Sequence, residues 1–198
     1  MKPGLLACAV VMGCYAALLF TFTLYVQDDL GWTPLAAGLA FLPYTIGFGA
    51  MSLTWARMPE RVIRALPVAG PIVVAVVVSV VATGASPWIL APLLVLAGAG
   101  HAAGHSPLIA GLSDLVPARR VSALSALNTT GPLVAQTVAI AAIGGIYLAS
   151  GPAWALGTTA VALLVGAGCA AVARRAAPPA DTPADAAADP DTTEPVSR

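Results

Sequence analysis

The sequence predicts an all-α integral membrane protein with six transmembrane helices, and three observations carry that prediction. Of 198 residues, 59% are hydrophobic and 9% charged, with a mean hydropathy of +0.88, whereas a soluble domain carries about 25% charged residues. The apolar residues fall into six runs of spanning length, separated by short segments of Pro, Gly or charge. Every Lys and Arg precedes the first run or follows an even-numbered one. A soluble core cannot absorb so much apolar surface, because a domain of roughly 150 to 200 residues still leaves about a quarter to a third of its surface in water.

A helix needs about 20 apolar residues to cross about 30 Å of hydrocarbon. Runs of that length occupy about 5–26, 35–55, 66–84, 88–112, 121–148 and 154–173. The first follows Lys2 and resembles a signal peptide, but it is too long for a cleaved apolar region and reads as a span. The third contains VAGPIVVAVVVSVVA, which lacks the polar–apolar alternation of a barrel strand. Residues 1–175 therefore form one six-helix domain. The segment 176–198, rich in Pro, Ala and Asp, reads as a disordered acidic tail.

Basic residues resist translocation, so their positions set the orientation. Lys2 precedes the first run, Arg57, Arg61 and Arg64 follow the second, Arg119 and Arg120 the fourth, and Arg174 and Arg175 the sixth. Both termini are expected in the cytoplasm of a multi-pass protein of the cell membrane, with Asp28 and Asp29 in an outer loop. Trp32, Trp88 and Trp154 sit at run boundaries, as interfacial anchors do. The lipid bilayer is the first partner implied, and a formal net charge of zero offers nothing to nucleic acid. Cys8, Cys14 and Cys169 lie in apolar runs and read as small buried hydrophobes.

No Asp, Glu, Lys or Arg lies deep in any run, so the ionisable residues there are His101 and His105. Four apart, they share one face of the fourth helix. They line a proton-sensitive or substrate-contacting cavity, or else they are interfacial histidines bonded to neighbouring helices. Tyr25, Gln27, Tyr44, Asn128 and Gln136 complete the polar set, as pathway residues or as glue between helices. The third and sixth runs are almost wholly apolar and read as peripheral. No metal site is expected, since two imidazoles need a further ligand, and no cofactor, since the glycines make no dinucleotide fingerprint. No acid, base and nucleophile assemble into an enzyme site.

The segment LYVQDDLGWTPLAAGLAFLP resembles the major facilitator superfamily, and within it the fourteen-span drug:proton antiporters. The matching positions are Tyr25, Gln27, Gly31, Thr33, Pro34, Leu35, Ala37, Gly38, Leu42 and Pro43. Arg57, Glu60, Arg61 and Arg64 resemble that family's cytoplasmic loop motif, with Ala56 and Ile63 in place of its glycines. GAGHAAGHSP is similar to the Gly-rich fourth helix of that family's domain, and VPARRVSALSALNTT to the entry of the fifth. Beyond Asn128 the pattern departs, with Gly131-Pro132 where an Arg-Gln pair is common. The resemblance covers about residues 15–148.

The resemblance implies one six-helix domain built as a 3+3 inverted repeat, half of a complete transporter. It is similar to the C-terminal half of a proton-coupled multidrug exporter, truncated or split. Implied partners are a drug-like small molecule, protons, and a missing N-terminal half or a second copy. The alternative is a six-helix membrane protein that does not transport and acts as a partner or assembly factor.

Overall fold

A computed structural model of the chain describes residues 2–84, 86–114 and 121–176. Residues 177–198, most of the expected acidic tail, and the connection holding Arg119 and Arg120 lie outside the described residues. Among those residues there are six helical segments long and apolar enough to cross a membrane, and no strand.

The first span is α1 (Lys2–Leu24), which continues as a π-turn over Tyr25–Asp29. Leu30 N–H reaches back five residues to the Tyr25 carbonyl at 3.2 Å, and Gly31 at φ +68° turns the chain. The second span is broken, where the sequence predicts one helix over 35–55. It consists of α2 (Pro34–Leu39) and α3 (Leu42–Thr54). Thr33 caps α2, its Oγ1 accepting from Ala36 N–H at 3.3 Å. Pro43 has no N–H to continue the ladder, so the chain closes a tighter turn, with Phe41 N–H donating to the Gly38 carbonyl, and restarts.

The remaining spans are α4 (Glu60–Ala82), α5 (Pro87–Asp114), α6 (Val121–Ser150) and α7 (Pro152–Ala176). Helix α4 starts before the expected 66 because its first turns are amphipathic. Glu60, Arg61 and Arg64 are exposed there while Leu66 and Pro67 are buried. Gly84 and Gly151, both at positive φ, allow the tight turns that separate α4 from α5 and α6 from α7.

Packing follows an internal two-fold pattern. Helix α5 packs on α3 and α4, α1 packs on α6 and α7, α4 meets α7, and α1 meets α5. Exchanging α1 with α5, α3 with α6 and α4 with α7 reproduces these contacts. The departure is that α6 packs on α7 more than α3 does on α4. Three helices per repeat is an odd number, so the second triplet crosses in the opposite sense to the first, as a 3+3 inverted repeat requires. Each first helix sits with the last two of the other triplet, giving two groups, α3–α4–α5 and α1–α6–α7.

Close approach within the first group needs glycine. A Cβ on Gly47 would lie 2.0 Å from the Val95 carbonyl oxygen, and one on Gly98 would lie 2.0 Å from that of Tyr44. On the other face of α5, a Cβ on Gly70 would come within 2.4 Å of the Gly100 oxygen. Small residues at helix contacts are how spans associate in lipid, where no hydrophobic drive holds them together. The apolar third and sixth runs are not peripheral to this packing, since α4 and α7 are well buried against each other and their neighbours, while α3 and α6 expose most of their faces. Valine-rich surfaces pack as readily on protein as on lipid.

Candidate functional site

The two groups meet at a buried cluster of rings. Gly98 brings α5 onto the Tyr44 backbone, and one turn later on α5 stands His101, so the Tyr44 hydroxyl reaches Nδ1 of His101 at 2.7 Å. Both residues are buried, at 3% and 4% exposure. Tyr15 on α1 stacks over the imidazole with ring centres 4.4 Å apart, and over Tyr44 at 5.5 Å. Phe48 closes another side at 5.1 Å, and the His105 ring follows at 5.9 Å. Three helices therefore converge on one imidazole.

Between the groups lies a small apolar cavity of about 10 Å³, lined among others by Val11, Tyr15 and Leu18 of α1, Tyr44, Val74 of α4 and His101. Its walls are wholly apolar, so no polar group faces it to hold a water molecule. Nε2 of His101 is buried and has no hydrogen-bond partner among the described residues. An unpaired polar atom away from water is costly, and among the described residues Thr21 Oγ1 on α1 is the other buried side-chain atom in that state. A wider groove of about 330 Å³ beside Val76, Ser79 and Leu164 contains no ionisable group.

Of the residues singled out in the sequence, the structure brings together Tyr44, His101 and His105. Tyr25 and Gln27 sit elsewhere, in the π-turn, about 15 Å or more along α1 from Tyr15 at about 1.5 Å per residue. Gln136 is half-buried on α6, next to Ala135, which packs on Gly13 two residues before Tyr15. The side chain of Asn128 lies outside the described residues. Arg64 pairs with Glu60 one turn away on the same exposed surface of α4, and among the described residues no ion pair ties Arg57, Glu60, Arg61 or Arg64 to another helix.

Tyr15 and Phe48 are absent from the sequence-derived set, because an aromatic in an apolar span looks like any core residue until its neighbours are known. A second missed feature lies at the other end of α1. The Tyr147 hydroxyl on α6 donates to the Asp29 carboxylate at 3.0 Å, tying the π-turn to the end of α6. Among the described residues no three His, Cys, Asp or Glu side chains gather as a metal site would need.

Six spans in an inverted repeat, with a polar junction buried where the two groups meet, define a multi-pass transporter-type membrane protein. The family model described as Major Facilitator Superfamily matches residues 4–197, and the chain belongs to that superfamily. The match extends past 15–148, where individual motifs carry the resemblance, and takes in the sixth span. No curated protein matches the chain.

Proposed function

We propose that this chain is the C-terminal half of a proton-coupled multidrug exporter, working opposite a second six-helix half in the cell membrane with its Arg57–Arg64 end in the cytoplasm. The observation that carries this reading is the imidazole–phenol pair of His101 and Tyr44, held in hydrocarbon where α1, α3 and α5 meet. Polar groups at that depth are expensive and mark substrate or ion routes. The antiporter type is supported by the Tyr25-to-Pro43 motif, and the half-transporter reading by the two six-helix domains that complete such a machine.

Substrate would pass between this half and its partner as they rock, with the half-buried Tyr15, His105 and Gln136 beside the route and the buried Tyr44 and His101 behind them, at the seam between the three-helix groups. The described spans offer no carboxylate at the junction, so the proton-coupling acid belongs to the other half. The test is reconstitution in liposomes under an imposed pH gradient, using drug-like dyes of neutral and cationic type. The chain alone is expected to drive no flux, and flux is expected when it is paired with a complementary six-helix half. Robust efflux by the monomer would overturn the half-transporter reading. Absence of flux from every pair tested would overturn the exporter and favour a partner or assembly role.

A further inference from the structure

Charge among the described residues is densest where the second and third spans leave the membrane. The second span runs to Arg57 and the third starts at Glu60. Across that connection stand Arg57, Glu60, Arg61 and Arg64, all of them exposed. Glu60 pairs with Arg64 one turn along α4. The side chains of Arg57 and Arg61 are left with no ion pair and no hydrogen bond among the described residues. Two uncompensated cations at the edge of a bilayer face the phosphates of its headgroups.

The two side chains can share one ligand. Four residues extend at most about 14 Å, and the turns of Trp55–Arg57 and of the start of α4 shorten that, so two long side chains reach a single phosphate. A guanidinium offers paired N–H donors matched to phosphate oxygens. One arginine would accept the phosphate of any phospholipid. A second cation beside it repels the ammonium of a zwitterionic headgroup, so the pair selects a headgroup of net negative charge. Trp55, half-buried two residues before Arg57, sits at the depth where indoles anchor.

Helix α3 leads an acyl chain to the same place. Leu42, Ile46 and Leu53 are exposed, Leu53 at 76%, and a Cβ on Gly49 would meet nothing within 4 Å. Their spacing puts these four residues on one face of the helix, and Arg57 follows Leu53 by about one more turn. From Leu53 to Leu42 the rise is about 16 Å, close to half of the about 30 Å hydrocarbon core. An uncovered apolar stripe one leaflet deep thus ends at the guanidinium groups. A soluble anion would use the arginines alone, whereas a lipid uses both. We infer that Arg57 and Arg61 hold the headgroup of an anionic phospholipid, with one acyl chain along the open face of α3 from Leu53 to Leu42. The site is independent of what the domain carries. In the orientation proposed above it opens to the cytoplasmic leaflet, where anionic lipids make the surface negative.

The test is quenching of Trp55 by lipids brominated in their acyl chains. The full chain, with Trp32→Phe, Trp88→Phe and Trp154→Phe, is held in nanodiscs of phosphatidylcholine and phosphatidylglycerol. Each basic side chain near an anionic surface adds roughly fivefold in affinity, so brominated phosphatidylglycerol is expected to be preferred over brominated phosphatidylcholine by roughly tenfold or more. Arg57→Gln together with Arg61→Gln should bring that preference close to parity. Glu60→Gln, which frees Arg64, should raise it, and Arg175→Gln, near the end of α7, should leave it unchanged. Native mass spectrometry of the unaltered chain, comparing retention of the two lipids, gives the same comparison without the tryptophan replacements. Equal quenching and equal retention of both lipids would overturn the site. So would an Arg175→Gln loss as large as that of Arg57→Gln, because it describes diffuse surface charge. Relief of quenching by inorganic phosphate at constant ionic strength would make a soluble anion the ligand and overturn the lipid. A preference that appears only once residues 177–198 are removed would make the acidic tail the occupant and overturn it as well.

Discussion

The Tyr44 hydroxyl lies 2.7 Å from Nδ1 of His101, across 57 residues of sequence, because two glycines let α3 and α5 touch backbone to backbone. Gly98 receives the Tyr44 carbonyl and Gly47 receives that of Val95, each with 2.0 Å where a Cβ would stand. A methyl group at either position meets a backbone atom, which cannot rotate aside.

Gly98→Ala is therefore expected to destabilise the domain. Overpacking costs about 1–3 kcal/mol, which outweighs the gain of about 1 kcal/mol in helix propensity. The control is Gly168→Ala, where a Cβ meets open space. Thermal unfolding in detergent should show a lower midpoint for the first variant and an unchanged or slightly higher one for the second. Equal midpoints would mean that α3 and α5 are further apart than described.

Tyr15 covers His101 with its ring face, and its hydroxyl makes no bond to the imidazole. Tyr15→Phe keeps the stack and should leave stability and paired flux within about twofold of the parent. Tyr15→Ala removes an aromatic pair of about 0.5–1.5 kcal/mol and should lower both. Equal behaviour of the two variants, in flux and in melting, would dismiss the stack as a determinant.

The bond from Tyr147 to Asp29 couples α6 to the π-turn of α1. Hydrogen bonds to charged groups contribute about 1.5–3 kcal/mol, and the exposure of Asp29 reduces that toward about 1 kcal/mol through solvent screening. A double-mutant cycle of Tyr147→Phe with Asp29→Asn should return a coupling of that size in thermal or denaturant unfolding. Strict additivity would show that the contact contributes nothing.

Orientation is open to a labelling experiment. In a variant lacking Cys8, Cys14 and Cys169, a single cysteine at Asp28 should react with a membrane-impermeant thiol reagent from outside intact cells. One at Glu60 should react only after the cells are opened. Glu60→Gln, which removes the exposed pair with Arg64, should change stability by no more than about 0.5 kcal/mol.

The ring cluster was half legible in the residues. His101 and His105 stand out because ionisable groups in a long apolar run demand a partner, and Tyr44 because its hydroxyl does too. Tyr15 and Phe48 carry no such demand, being as much at home against lipid as against an imidazole. Gly47 was equally silent, since a glycine in a span looks the same whether it touches a backbone or open space. The break in the second span was written in Pro43 but hidden by the apolar residues on either side.

By itself the sequence determined that the chain crosses a membrane in six helices, because hydrocarbon requires long uncharged runs and leaves charge to the turns. It also marked the few polar residues that such a setting makes costly. Only the tertiary structure decided that the helices regroup across the repeat, as α3–α4–α5 and α1–α6–α7, and that the seam between them falls on His101. That choice depends on which small residues face each other across helices far apart in the chain, a matter of shape in three dimensions that no run of hydropathy records.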